Sequence, residues 1–301
     1  MPVVSITNLK KQFKDQEVIK GLDFQLSEGK CIALLGANGA GKTTTLKMLA
    51  GLVKPDSGTI VYEGGEKADF RRLIGYLPQF PVFYEWMTGR EFLEYAGQLA
   101  GLPKAEAKDR AAELLELTGI ADAKNRRIGK YSGGMKQRLG IAQAIIHRPK
   151  LVMLDEPVSA LDPFGRREVL EMMDKLKKET AILFSTHILN DAEEICDEIL
   201  FLHNGELVES GTMADLRAKH QKAKIDLAFK QNTPQFAEEL SLLQPVSSMK
   251  LDGDSASFLV KDIEDARNLF LTEIAKRNWP LVKFEISRTS LEDVFMKVVR
   301  K

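Results

Sequence analysis

The chain is short of the residues that build metal centres and disulfide frameworks. Two cysteines occur among 301 residues, Cys31 and Cys196. That is too few for a stapled secreted scaffold, and both read as reduced, buried apolar side chains. The four histidines are scattered and form no metal-ligand spacing. Net charge is absent too, with 43 Lys and Arg against 43 Asp and Glu. Nothing in that balance draws the chain towards nucleic acid or an anionic membrane surface, so no nucleic-acid partner is expected. No apolar run approaches the roughly 18 residues of a membrane-spanning helix. Met1-Pro2-Val3-Val4-Ser5 also lacks the charged start and apolar stretch of a secretory signal. A cytoplasmic protein is expected. What is present is an ordinary globular composition, 44% hydrophobic and 29% charged, which excludes a disordered chain. The length suits two domains.

One stretch organises the rest. Gly36-Ala37-Asn38-Gly39-Ala40-Gly41-Lys42-Thr43-Thr44 has the spacing G-x-x-x-x-G-K-[ST] of a phosphate-binding loop. It follows the apolar run Cys31-Ile32-Ala33-Leu34-Leu35, which reads as a buried parallel strand, and precedes a predicted helix. The glycines let successive N–H groups face a phosphate chain, and the helix N-terminus adds partial positive charge there. Lys42 is expected to reach the β- and γ-phosphates, and Thr43 to put its hydroxyl on Mg²⁺.

Strand-like alternation over residues 3–13 and 18–26 predicts an antiparallel edge beside the nucleotide. Phe13, at its end, either packs there or stacks on an adenine ring. Gln79 ends a predicted strand, where its amide is either solvated or within reach of a metal ion. Between Tyr76 and Tyr95 lie Phe80, Phe83, Tyr84, Trp86 and Phe92, a cluster that reads equally as core or as docking surface. Residues 86–148 then read as an all-helical insert. Ser132-Gly133-Gly134 opens one of its helices, where three small residues leave N–H groups open to an anion. The apolar run Leu151-Val152-Met153-Leu154 ends in Asp155-Glu156, at the edge where open α/β sheets bind ligands. One carboxylate there can serve a metal while the next faces an attacking water. Asp162-Pro163 starts another helix. His187 ends one more buried strand, placed to bond a γ-phosphate.

With these residues in hand the chain resembles the ATPase subunits of ABC transporters over about residues 1–220. Gly36 to Thr43 looks like Walker A, Gln79 like the Q-loop and Ser132-Gly133-Gly134 like the signature. Asp155-Glu156 resembles the end of Walker B, Ser159-Ala160-Leu161-Asp162 the D-loop, His187 the switch histidine, and Phe13 the adenine-stacking aromatic. Tyr131 and Met135 around the signature, and Ser290-Leu291-Glu292-Asp293-Val294-Phe295 near the C-terminus, are similar to the type-two export branch of bacteria and archaea. The resemblance implies ATP and Mg²⁺ as ligands and a head-to-tail homodimer with ATP at its interface. It also implies a separately encoded membrane permease, which places the chain at the cytoplasmic face of the membrane. Glu156, His187, Gln79 and Lys42 are the expected catalytic residues, and Thr43, Gln79 and Asp155 the metal site. Phe13, residues 36–44, Ser132, Gly133, Gly134 and Asp162 are the expected nucleotide contacts. A soluble ATP-driven clamp on ribosomes or DNA is the main alternative; a nucleotide switch or kinase would leave the signature and His187 unexplained.

The fold expected is α/β: a P-loop NTPase core with antiparallel edge strands and the helical insert, over residues 1–220. Residues 221–301 read strand–helix–strand–strand–helix–strand, the order of a ferredoxin-like α+β unit, followed by a helix capped by Thr289 or Ser290. No catalytic constellation occurs in this tail, which reads as a binding, regulatory or dimerisation module.

Overall fold

The computed structural model describes residues 2–64, 69–159, 161–220 and 223–288. The chain divides into two compact units, residues 1–213 and 214–301. The division falls a few residues before the position near 220 expected from the sequence.

In chain order the first unit has β1 (Pro2–Phe13), β2 (Gln16–Ser27), β3 (Cys31–Leu35), α1 (Lys42–Leu49), β4 (Ser57–Tyr62) and β5 (Ile74–Leu77). Three helices follow: α2 (Gly89–Leu99), α3 (Lys104–Leu117) and α4 (Gly133–Ala144). The unit closes with β6 (Leu151–Asp155), α5 (Pro163–Leu176), β7 (Ala181–Thr186), α6 (Leu189–Ile195), β8 (Glu198–His203) and β9 (Glu206–Thr212). The continuous apolar strands β3, β6 and β7 are buried at every position, as strands covered on both faces must be. They sit side by side in a six-stranded sheet of order β5-β6-β7-β3-β8-β9, parallel except for the β8–β9 hairpin.

The register decides what meets at the sheet edge. Leu35 pairs with Thr186, and Asp155 with Ser185. The phosphate loop, the acidic pair and His187 therefore leave three adjacent strands at one level. β2, β1 and β4 form a separate three-stranded antiparallel sheet. Its apolar side chains, Val4, Ile6, Leu22 and Leu26, share a core with Ile32, Leu34, Met153 and Leu183.

Helix α2 starts on a capping box in which the Thr88 hydroxyl accepts from the Glu91 amide and Glu91 accepts from the Thr88 amide. The aromatic cluster divides. Phe83 and Phe92 are buried edge to face, 5.2 Å apart, while Phe80, Tyr84, Trp86 and Tyr95 are exposed. Cys31 is buried, Cys196 is half-buried, and both are free thiols.

The chain continues through α7 (Met213–His220), β10 (Ala223–Phe229), α8 (Thr233–Ser241), β11 (Val246–Asp252), β12 (Ser255–Val260), α9 (Ile263–Lys276) and β13 (Leu281–Arg288). The last four strands form an antiparallel sheet of order β11-β12-β10-β13, and Ile225, Leu227, Phe258, Phe270 and Ile274 lie in the unit's own core. The helix expected after Thr289 or Ser290, and Ala160 of the D-loop-like stretch, lie outside the described residues.

Candidate nucleotide site

The phosphate loop is shaped by its own backbone and its own lysine. Gly41 has φ 107°, and a Cβ there would stand 2.5 Å from Ile19 Cδ1, so glycine alone fits the entry to α1. The loop is pinned at both ends: Gly36 N–H donates to Thr186 O (3.3 Å) and Gly205 N–H to Ala40 O (3.1 Å). The Ala40 amide also donates to Ala37 O within the loop (3.1 Å). Lys42 is buried, and its ammonium donates to Gly36 O (2.8 Å) and Ala37 O (3.2 Å). These bonds place a cation inside the curl of the loop.

Glu156 stands against that ammonium, with Lys42 Nζ 3.4 Å from its Oε1. On its other side His187 Nδ1 lies 2.8 Å from Glu156 Oε2. An ionised carboxylate only accepts, so the imidazole carries its proton on Nδ1 towards Glu156. Glu156 is buried and has φ 52°, a left-handed value uncommon for a residue with a side chain. The neighbouring Asp155 is held through one oxygen: Oδ1 accepts from Thr43 Oγ1 (3.1 Å) and Ser185 Oγ (2.6 Å). Its Oδ2 is buried with no hydrogen-bond partner. The Tyr76 hydroxyl is likewise buried and unpartnered, and burial, with the Asp155 charge nearby, pushes it up to about 12. A free carboxylate oxygen beside a threonine hydroxyl is a donor set that suits a hard, oxygen-seeking cation such as Mg²⁺.

A cleft of about 350 Å³ runs over these groups, lined by Val18, Asn38, Gly39, Gly41, Lys42, Thr43, Thr44, Gln79 and Glu156. Gln79 thus faces the loop and the glutamate together. The remaining expected residues stand elsewhere. Phe13 is half-exposed at the end of β1, with the Lys11 ammonium 5.2 Å over its ring. Ser132 is an exposed cap on α4, its hydroxyl accepting from the Met135 amide at 3.2 Å, and Gly133 has open space around it. Asp162 caps α5 by accepting from the Gly165 amide at 2.7 Å. None of these four lines the cleft of its own chain.

Sequence reasoning did not assign Ser185 or Tyr76. The signal for Ser185 was present, a polar residue breaking the apolar run of a buried strand shortly before His187.

This cleft and sheet define a P-loop nucleotide-hydrolysing cassette. The ABC transporter family model matches residues 19–159, and the model for the C-terminal domain of DrrA1-3-like ATP-binding proteins matches residues 211–299. The chain is 48% identical to the uncharacterized ABC transporter ATP-binding protein YxlF of Bacillus subtilis (strain 168), over 99% of both chains. It is 33% identical to the daunorubicin/doxorubicin resistance ATP-binding protein DrrA of Streptomyces peucetius, over 97% of this chain and 91% of that one. A solved structure of the ATP-binding subunit of an ABC transporter superposes with TM-score 0.66 at 37% identity, covering 72% of this chain and 92% of that chain. The chain belongs to the ABC transporter ATP-binding proteins. It is an ATP-hydrolysing ABC transporter subunit with a DrrA1-3-like C-terminal domain.

Proposed function

We propose that this subunit hydrolyses ATP between two copies of itself, with Glu156 as the base that activates water. The observation that carries this reading is the placement of the Glu156 carboxylate between Lys42 and His187, 3.4 and 2.8 Å away, on a strand end beside the phosphate loop. A carboxylate fixed from both sides presents its lone pairs in one direction, as a general base must. Lys42 neutralises charge on the β- and γ-phosphates once ATP displaces the loop carbonyls from its ammonium. Asp155, Thr43 and Gln79 would hold Mg²⁺, which neutralises phosphate charge when bound. With Nδ1 turned to Glu156, His187 is left with Nε2 to meet a γ-phosphate.

The homodimer follows from what one chain leaves incomplete. Ser132, Gly133, Gly134 and Asp162 lie outside the cleft lining, and the open N-terminus of α4 is an anion site in search of a phosphate. A head-to-tail pair brings that terminus over the partner's loop and completes both sites. Motion of this dimer drives a separately encoded permease, which docks on the exposed aromatics after Gln79 and holds the chain at the cytoplasmic face of the membrane. Among the described residues no helix is long and apolar enough to cross a membrane. The cargo is a drug- or antibiotic-like compound, by likeness to the daunorubicin/doxorubicin resistance protein. The C-terminal unit is read as a regulatory or dimerisation module; its sheet order β11-β12-β10-β13 supports the ferredoxin-like topology alone.

Glu156→Gln keeps ATP binding and slows turnover by at least ~100-fold. A rate equal to wild type removes Glu156 as the base. The same variant, carried on gently solubilised native membranes and analysed by mass spectrometry, brings down a stoichiometric polytopic membrane protein; ribosomal proteins or DNA in its place refute the transporter reading.

A further inference from the structure

Ser185 is buried near the end of β7, directly opposite Asp155 in the parallel register. Its hydroxyl has one proton and two lone pairs. The proton goes to Asp155 Oδ1 at 2.6 Å, and a lone pair takes the backbone N–H of Glu156 at 2.9 Å. A single oxygen atom therefore ties both acidic residues at the end of β6.

Two features give that tie a purpose. Glu156 sits at φ 52°, a conformation that a residue with a side chain keeps only when its surroundings impose it. The bond to Ser185 fixes its amide as the chain turns out of the sheet, and so sets where the carboxylate starts. Asp155 has both its donors, Thr43 and Ser185, on Oδ1, and its buried Oδ2 is left without a partner. Two donors on one oxygen orient the carboxylate plane and hold the other oxygen clear for a ligand that needs oxygen, a divalent cation.

We propose that Ser185 is a positioning residue for ATP hydrolysis, aiming Glu156 through its backbone amide and keeping one oxygen of Asp155 free for the metal. The proposal rests on the roles given above to Glu156 and Asp155. A serine that merely satisfied its own hydroxyl in the core would affect folding, and would leave metal affinity and turnover alone in any variant that folds.

The test uses the full chain carrying Ser185→Ala, Ser185→Cys or Ser185→Thr. Cysteine is near serine in shape, with a somewhat larger sulfur, but is a weak donor, so it remains informative where alanine fails to fold. Threonine restores the hydroxyl, and a β-branched side chain suits a strand. Turnover is measured against ATP concentration. Mn²⁺ affinity is measured by electron paramagnetic resonance with a non-hydrolysable ATP analogue bridged by nitrogen between the β and γ phosphorus. Cysteine, and alanine where it folds, lower kcat by ~10–100-fold and weaken Mn²⁺ by a similar order, with KM for ATP little changed; threonine recovers most of both. Wild-type kcat and Mn²⁺ affinity in the cysteine variant overturn the proposal. So does equal damage by cysteine and threonine, which would make the effect one of packing.

Repeating the cysteine variant in Glu156→Gln separates the two readings. The Mn²⁺ loss, which runs through Asp155, persists there, while the effect on rate disappears. If Glu156→Gln alone hydrolyses at the wild-type rate, the assignment of the base fails, and Ser185 stands or falls on Mn²⁺ affinity.

Discussion

At Gly75 of β5 a Cβ would meet the carbonyl oxygen of Ala144 at 1.9 Å. Strand and helix α4 touch there backbone to backbone, so an added methyl must push one of them away. Gly75→Ala is expected to destabilise the first unit by roughly 1–3 kcal/mol, the usual penalty of overpacking, read as a lower urea midpoint. It also lowers turnover, because β5 ends two residues before Gln79. Gly133 is the opposite case, with nothing within 4 Å of an added Cβ and a position at the start of α4. Gly133→Ala leaves stability unchanged or slightly raised, since alanine favours a helix over glycine. What it removes is the bare backbone offered to the partner's phosphate. Loss of ATP-dependent dimerisation in size-exclusion chromatography, with an unaltered melting temperature, is the expected result; normal dimerisation would show that no phosphate approaches that backbone.

At the scale of elements, α5 and α6 are strapped by one buried pair. Arg166 on α5 donates to Asp191 on α6, and Asp191 is fully buried. Thr186 Oγ1 also donates to Asp191 at 3.3 Å, so the strap is anchored one residue before His187. Arg166→Met leaves that carboxylate without its cation. The loss is about 3 kcal/mol, near the lower end for a broken buried pair because Arg166 is itself part-exposed. Burial already pushes the Asp191 carboxyl above its ordinary value despite Arg166. A carboxyl raised in the folded state binds its proton more tightly there, so acidification favours the fold. The deficit of the variant is therefore largest near neutral pH and shrinks as the pH falls towards Asp191's raised value. Urea midpoints at about pH 7 and about pH 5 measure it; a deficit that grew with acid would mean Asp191 is not the group left exposed to the change.

These elements were legible to different degrees. The buried strands could be read because covering both faces demands unbroken apolar runs, as in Leu151-Val152-Met153-Leu154. Helix starts could be read from caps whose chemistry is local, Ser132 and Asp162 among them. The pairing of β1 with its chain neighbour β2 could be read as well, but distant partners could not: β1 pairs with β4 across a stretch that includes β3, and nothing local encodes that choice. The link from Ser185 to Glu156 depends on the register of β6 against β7, a relation between segments 29 residues apart. The aromatic cluster could not be apportioned for a similar reason. Phe83 and Tyr84 are chain neighbours that both meet a ring on α2, yet one is buried and the other exposed, a difference set by tertiary packing and not by local sequence.

At the scale of the whole molecule, each of the two compact units has a buried core of its own, and all the groups around Glu156 belong to the first unit. The first unit exposes Phe80, Val82, Tyr84 and Trp86 within eight residues of Gln79, Val82 being 90% exposed and Trp86 70%. Large apolar side chains so placed carry little of the fold, and aromatic anchors carry much of the energy of interfaces. Trp86→Ala is accordingly expected to fold and hydrolyse ATP normally while losing capture of the permease from solubilised membranes. Undiminished capture would move the docking surface elsewhere.

The common level of β3, β6 and β7 also constrains how this sequence can change over generations. Inserting or deleting one residue within any of the three displaces the downstream residues by about 3.3 Å and turns their side chains to the opposite face. Leu34 or Met153, both fully buried, can be exchanged for an apolar residue of similar volume at modest cost. The number of residues from the start of each strand to Lys42, Glu156 or His187 cannot drift in the same way. Changes of length are confined to turns and to the helices between β5 and β6, so that in descendants of this chain the spelling of the strands diverges well before their counting does.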